Sequence, residues 1–466
     1  MRKDTQKKQD KSKRKNAQGQ INLPAHLEHI NIMAAGIDVG SKSHFVAVPE
    51  GCAEVSVREF KSFTTDLFEL ANWLEKCKIE TVAMESTGVY WIALYELLES
   101  RGFDVRLVDA RKVKNVSGRK TDVLDCQWLQ QLHTYGLLSG AFRPNEQTCA
   151  LRAYLRQRSM LIQQAASHIQ HMQKALTQMN LQLHNVLSDI TGETGMRIIR
   201  AIVAGERTAK ILASYRHSGC KNSVEVIEKS LTGHYRDEHI FSLTQALELY
   251  DTYRDKVVAC DIEIEKQLLA FEDRVIEKSE SKNIIVKRKS KSHCKNALSF
   301  DVKSHLIRMA GVDLTAIPGI EGSSALKIIS EIGLDLSRWK SSKQFACWLG
   351  LCPGNKVSGG KRLSGKSKRT ANNAASTLRL AASTLHKSES ALGAFFRRLK
   401  ARLGAPKATT AAAHKLATII FNMLKNGMEY IETGQDYYET QYHDKIVKNL
   451  SRRAKTLGFN LVKATC

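Results

Sequence analysis

The chain has 466 residues and carries 71 Lys and Arg against 47 Asp and Glu, a formal net charge of +24. That excess fits a polyanionic partner better than a small acidic substrate, with nucleic acid ahead of an anionic membrane surface. No apolar run approaches membrane-spanning length, and the ten cysteines contain no C-x-x-C, so neither a disulfide framework nor a zinc ribbon is expected.

Residues 1–30 open with "MRKDTQKKQDKSKRKNAQGQ", which has no apolar stretch of the kind an export signal needs and reads as a disordered basic arm. The expected compartment is therefore the cytoplasm, with reduced thiols. From Ala34 the pattern becomes strand-like: "AGIDVG", a turn at "SKSH", then "FVAVPE" and "AEVSVREFKSF". "TTDLFELANWLEKCK" has helical spacing at Leu67, Leu70, Trp73 and Leu74, with Thr64 or Thr65 as cap. Strand "TVAMES", helix "TGVYWIALYELLESRG", strand "DVRLVD", a basic loop "ARKVKNVSGRK" and a helix from Thr121 follow. Three strands followed by crossovers demand a mixed sheet, so residues 31–145 are expected to form an α/β domain with the first and fourth strands adjacent.

Residues 146–305 read as helical. Leu155, Ile162, Ala165, Ile169, Met172, Leu176, Met179, Leu183, Val186 and Ile190 make a heptad seam interrupted by Arg158, and a second seam runs from Ala246 to Phe271. They predict long coiled-coil helices, packed antiparallel within one chain or pairing two subunits. A basic Ser/Lys-rich linker spans 278–303. Residues 306–435 are helical and rich in Ala, Lys and Arg, and "LTAIPGIEGSSALKIISEIG" has the form of a helix-hairpin-helix. Such a turn offers backbone N–H groups to phosphate, but Glu321 adds negative charge there, so a plain packing hairpin stands beside that reading. Residues 436–466 form a tail, either a docking helix or an extension.

The acids carry the chemistry. Asp122 and Asp125 share one face at a helix start, where they could simply complement the helix dipole. Asp38 on the first strand and Glu85 at the end of the fourth can approach across the ladder, and the later helix can fold over both. Four converging carboxylates would repel one another unless divalent cations sit among them. Two Mg²⁺ ions ~4 Å apart would neutralise the acids and clamp a phosphodiester, and Mn²⁺ could substitute. The second concentration of signal is "NKVSGGKRLSGKSKR". Gly359 and Gly360 allow a close backbone approach to phosphate, while Lys356, Lys361, Arg362, Lys366, Lys368 and Arg369 supply charge. Lys112, Lys114, Arg119 and Lys120 of the earlier basic loop are further candidates for nucleic-acid contact. From the residues alone this is a phosphate-binding loop. The P-loop pattern in "GKRLSGKS" lacks the preceding buried strand that pattern requires.

The runs "GIDVGSKSHFVAV", "AMESTGVYW" and "GRKTDVLDCQWL", with "GMRIIRAIVAGE", "IPGI" and "WLGLCPGNKVSGGKRLSGKSK" further on, resemble the DEDD-type insertion-sequence transposases (family one-ten, eleven-eleven subgroup). The resemblance covers nearly all of the chain except the arm and tail. It implies an RNase H-like (RuvC-like) domain whose four acids are Asp38, Glu85, Asp122 and Asp125. It also implies a helical C-terminal transposase domain in which Ser358 is the nucleophile. Donor and target DNA, a structured guide RNA from the element's non-coding end, a covalent phosphoserine and a bacterial, nucleoid-associated protein are implied as well. Acids and serine stand more than two hundred residues apart, so either the chain folds back or a homodimer or homotetramer shares the site. Two rivals remain: a structure-selective nuclease resembling Holliday junction resolvases, with water as nucleophile, and a non-enzymatic coiled-coil nucleic-acid binder.

Overall fold

The computed structural model describes residues 30–109, 121–138, 140–274, 295–368 and 372–462. The chain divides into two compact units, Met1–Arg143 and Pro144–Cys466.

The first unit is built on five strands, β1 (Ala34–Val39), β2 (Ser43–Ala47), β3 (Val57–Lys61), β4 (Thr81–Glu85) and β5 (Asp104–Val108), ordered β3-β2-β1-β4-β5. Only β2 runs against the others. It pairs antiparallel with β1 and β3, whereas β1–β4 and β4–β5 are parallel. The parallel pairs need crossovers, supplied by α1 (Thr64–Lys76) and α2 (Trp91–Ser100). Because strand side chains alternate, each strand feeds two cores. Ala35, Ile37, Val39, Val82, Met84 and Leu107 pack with Leu70, Leu74, Leu94 and Leu98 of α1 and α2.

The opposite face carries Gly36, Asp38, Ala83, Glu85 and Val108, and α3 (Asp122–Thr134) covers it through Trp128, Leu129 and Leu132. Gly36 makes that cover possible. A Cβ built there would lie 2.2 Å from the Gln130 backbone nitrogen and 2.4 Å from the Cys126 carbonyl oxygen. The other end of α3 is pinned by His133, whose Nε2 lies 2.8 Å from Thr81 Oγ1 on β4. The Thr81 hydroxyl donates to the Asp104 carbonyl at 2.9 Å, so the ring nitrogen is the donor in the first bond. Burial, with Arg106 adding and Asp104 opposing, pushes the His133 pKa down to about 4 and keeps the ring neutral.

Several boundaries differ from expectation. β2 begins at Ser43, so the turn is only two residues past Val39–Gly40, and α1 is preceded by Phe63 without a side-chain cap. α2 starts at Trp91, leaving 87–90 as a turn beside Glu85. The basic loop 110–120, the arm 1–29 and most of the linker lie outside the described residues.

The second unit is helical. Its spine is α4 (Glu146–Gln178), started by the Asn145 side chain accepting from Thr148 N at 3.0 Å. The heptad seam extends past the helix itself. α4 ends at Gln178, the chain turns through Asn180 at φ 57°, and Leu183 and Val186 belong to a separate turn, α5 (Leu183–Val186). Three short helices, α6 (Glu193–Val203), α7 (Ala209–Ser214) and α8 (Val224–Ser230), lead to α9 (Asp237–Leu269).

The two long helices pack antiparallel within the chain. Arg158 pairs with Asp261 near one end, the His168 ring stacks on Tyr253 with centroids 5.4 Å apart, and Met172 and Leu176 cluster with Leu243 and Leu247 beyond. The polar interruption of the seam is thus a buried ion pair, and Arg158 also donates to the Asn296 and Ala297 carbonyls.

Beyond the linker stand α10 (Val302–Ala310), α11 (Gly322–Ile332) and α12 (Ser342–Trp348), then a β6–β7 hairpin (Lys356–Ser358, Lys361–Ser364). The unit ends in α13 (Asn373–Thr384), α14 (Ala391–Leu403), α15 (Ala405–Asn426) and α16 (Gln435–Thr456). The expected helix-hairpin-helix contains only a 3₁₀ turn at Leu314–Ala316 before α11. A Cβ at its Gly319 would lie 2.9 Å from both the Ala381 carbonyl and Thr384 Oγ1, so this turn is packed onto the end of α13. In the tail, α16 buries no residue, and its Tyr442 ring lies 3.8 Å from the Arg398 guanidinium of α14.

Candidate active site

In the parallel register of β1 and β4 the last pair is Ile37 with Met84, and Asp38 and Glu85 each stand one residue beyond it. They therefore leave neighbouring strands on the same face, the one under α3. Glu85 is 9% exposed, and its Oε1 accepts from Thr87 Oγ1 at 2.9 Å. Ser86 holds the strand end by donating both its backbone N–H and its hydroxyl to the Val108 carbonyl at 3.0 Å.

α3 begins at an extended Thr121 whose hydroxyl accepts from Leu124 N at 3.4 Å. That cap places Asp122 in the first turn, exposed, and Asp125 one turn further in, half-buried. Cys126 reports what lies around it. Its thiol is pushed up to about 12, by burial first and then by the charges of Asp38 and Asp125. Both carboxylates thus act on one buried sulfur, although they are 87 positions apart in sequence.

Asp38 and Glu85 share the sheet face that α3 covers, and Asp122 and Asp125 stand at the start of α3. Among the described residues, no three His, Cys, Asp or Glu side chains close on a single point as metal ligands. The donor chemistry nevertheless fits a hard divalent cation. All four groups offer carboxylate oxygens, the hard donors such a cation takes.

Ser358 ends β6 and pairs with Lys361 across a two-residue turn. Gly359 and Gly360 have φ of 55° and 74°, and a two-residue hairpin turn of the I′ kind needs positive φ at both positions. The glycines expected to cradle phosphate are accounted for by the hairpin turn. The hairpin closes below through the Gly354 N to Lys366 O bond of 3.0 Å and a bridge between Pro353 and Ser367. The segment matching a P-loop pattern is therefore the returning strand of a hairpin.

Ser358 is exposed, and its hydroxyl makes no hydrogen bond among the described residues. Lys361, Lys366 and Lys368 are exposed around it, as are Val357 at 60% and Leu363 at 69%. Lys356 and Arg362 lie on β6 and β7, while Arg369 and the four basic candidates of the earlier loop, Lys112, Lys114, Arg119 and Lys120, lie outside the described residues.

Two groups escaped the sequence reading. The His133–Thr81 pin had no motif. Nor did the junction at Glu331, whose carboxylate accepts from Arg156 Nη2 at 2.9 Å and Asn373 Nδ2 at 3.0 Å, while Arg152 donates to the Ser330 and Glu331 carbonyls. The available signal was slight: Arg152 and Arg156 at helical spacing, and a single acid on the helix Gly322–Ile332.

Comparison with known families defines the class of protein. Residues 35–181 match a DEDD transposase model, and residues 312–397 match the model described as Transposase IS116/IS110/IS902 family. The first match contains all four acids and the second contains Ser358; together they span half of the chain. The chain belongs to the IS110 family of transposases. It is thus a DNA transposition enzyme, and its DEDD domain points to a divalent metal. No curated relative matches the chain. Among the described residues, no helix is long and apolar enough to cross a membrane.

Proposed function

We propose that the chain is an RNA-guided transposase that cleaves and exchanges DNA strands through a covalent phosphoserine, with Mg²⁺ as cofactor. The observation that carries this reading is the placement of Asp38 and Glu85 on adjacent strand ends beneath the helix that brings in Asp125. The strand order with β2 alone reversed supports an RuvC-like (RNase H-like) domain. The guide RNA rests on the family resemblance and on a net charge of +24, enough to engage two kinds of polyanion.

In this reading Asp38, Glu85, Asp122 and Asp125 hold the metal. When bound, Mg²⁺ offsets their mutual repulsion and polarises the phosphodiester oxygens. The Ser358 oxygen attacks phosphorus. An Oγ–P bond forms, the bond from phosphorus to one deoxyribose oxygen breaks, and that oxygen takes a proton and leaves as a hydroxyl. The serine proton passes to solvent or to a carboxylate. Lys361, Lys366 and Lys368 stabilise charge on the phosphoryl oxygens. A deoxyribose hydroxyl of the second strand then attacks the phosphoserine, joining the strands and restoring Ser358, so the exchange consumes no high-energy cofactor.

The test combines the protein, RNA transcribed from the non-coding DNA flanking its gene, end-labelled donor and target DNA, and Mg²⁺, stopped with denaturant. A labelled protein–DNA adduct that disappears with Ser358→Ala is the expected result. Cleavage without an adduct, unchanged in Ser358→Ala, makes water the nucleophile and replaces this reading with the resolvase-like one. Salt-sensitive binding without any Mg²⁺-dependent cleavage makes the chain a binder.

A further inference from the structure

The second unit contains a cleft of about 340 Å³ between α4, α11 and the start of α13. Its floor is Glu331, with a side chain only 8% exposed, held by Arg152, Arg156 and Asn373. One carboxylate faces two guanidiniums there, and Lys327, one turn before Glu331 on α11, adds an ammonium. The lining therefore has a surplus of two positive charges.

Those charges are not all committed. Arg156 is 58% exposed and uses Nη2 for both of its bonds to Glu331, leaving further donors of its fork directed elsewhere. Lys327 has no carboxylate partner among the described residues, and Ser376 adds a hydroxyl to the wall. The cleft also opens at the N-terminal end of α13, where the Asn372 side chain accepts from Ala374 N and Ala375 N. A carboxylate that fixes two arginines, the donors of Arg156 not used on Glu331 and the Lys327 ammonium together suit a doubly coordinated oxyanion.

We infer that this cleft binds a phosphodiester of a nucleic-acid backbone, held by Arg156 and Lys327. The inference rests on the proposed function above for its choice of anion. α13 follows the Ser358 hairpin within nine residues of β7, so a strand anchored here is held close in sequence to the segment that presents the serine. Neither Arg156 nor Lys327 belongs to the basic stretches that stand out in the sequence.

The experiment uses the full chain carrying Ser358→Ala, so that no strand chemistry intervenes. Fluorescence anisotropy titrations over a salt series are run with duplex DNA, single-stranded DNA and RNA probes, with and without Lys327→Gln. Loss of one phosphate contact lowers affinity for all sequences of a probe alike and reduces the salt slope by about one. The probe whose slope changes identifies the strand that occupies the cleft. Arg156→Gln is expected to do the same, and its melting temperature shows whether the Glu331 junction has been disturbed. Unchanged slopes for Lys327→Gln with all three probes overturn the inference. That failure is separate from failure of the serine chemistry, which is read only by the adduct.

Discussion

Gly36 tests whether the acids are assembled by the seating of α3. An alanine there puts its Cβ at 2.2 Å from Gln130 N, 2.4 Å from Cys126 O and 2.8 Å from Gln130 Cα, all backbone-held atoms of one helix. No side-chain rotation relieves this. Ordinary contact begins near 3.4 Å, so α3 must retreat by about 1 Å, and Asp125 moves with it. Overpacking of this kind costs about 1–3 kcal/mol, which for a unit of this size lowers the melting temperature by roughly 3–10 °C. A displacement of ~1 Å in a catalytic constellation costs about a hundredfold in rate. Gly36→Ala should therefore fold, melt earlier, and cleave DNA about a hundredfold more slowly at saturating Mg²⁺. Thermal unfolding by circular dichroism and a Mg²⁺-dependent cleavage time course read the two effects separately. Wild-type melting would show that α3 is not seated on Gly36. Lower melting with wild-type cleavage would show that the acids do not depend on where α3 sits.

The His133 pin gives a pH dependence. Its folded pKa of about 4 lies below the ordinary 6.5, so its contribution is fully present above about 6.5 and is lost as pH falls toward 4, up to about 3 kcal/mol. The difference in stability between wild type and His133→Gln should narrow across that window, and a pH-independent difference would refute the neutral, buried ring. At the Arg158–Asp261 pair, Arg158→Met alone should destabilise by about 3–5 kcal/mol because it leaves a buried carboxylate uncompensated. Adding Asp261→Leu should recover most of that in urea unfolding, and equal losses in single and double variants would contradict the burial. Mixing Asp38→Ala protein with Ser358→Ala protein should restore cleavage if oligomers share a site between subunits; mixtures no more active than either parent would rule that out.

What the sequence could disclose follows the range of the forces involved. β1, β4 and the acids on them were legible because strand alternation and chain order are local signals, and adjacency of the first and fourth strands follows from the crossovers. That Asp38 and Asp125 both bear on the Cys126 thiol required knowing that α3 could approach the sheet, which depends on the missing side chain of Gly36. Nothing in "AGIDVG" distinguishes that glycine from a turn glycine. The seams revealed two long helices but not their partner, since heptads serve intrachain and intersubunit packing equally well. The choice is written in one buried pair, Arg158 with Asp261, which in sequence is only a polar interruption of an apolar stripe. The form of the Ser358 segment was not legible because Gly-Gly serves both a phosphate cradle and an I′ turn, and the β6–β7 pairing is what makes it a hairpin.

That last difference bears on how the enzyme is controlled. Asp38 and Glu85 stand on a five-stranded sheet whose other face is packed against two helices, so their geometry is set by the fold. Ser358 stands on a two-stranded hairpin with Val357 and Leu363 in solvent, and a hairpin of this kind has little stability of its own. The position of its hydroxyl therefore depends on what the surrounding lysines and apolar side chains grip. On the function proposed above, a serine placed by its substrate would react only when the correct strands are bound, and an unengaged protein would leave DNA intact. Rigidifying the hairpin would weaken that safeguard. A cross-strand disulfide from Val357→Cys with Arg362→Cys, at positions paired in the β6–β7 register, should raise cleavage of DNA supplied without the guide RNA. If guide-free cleavage stays at the level of the reduced form, the restraint lies elsewhere than in the mobility of the serine.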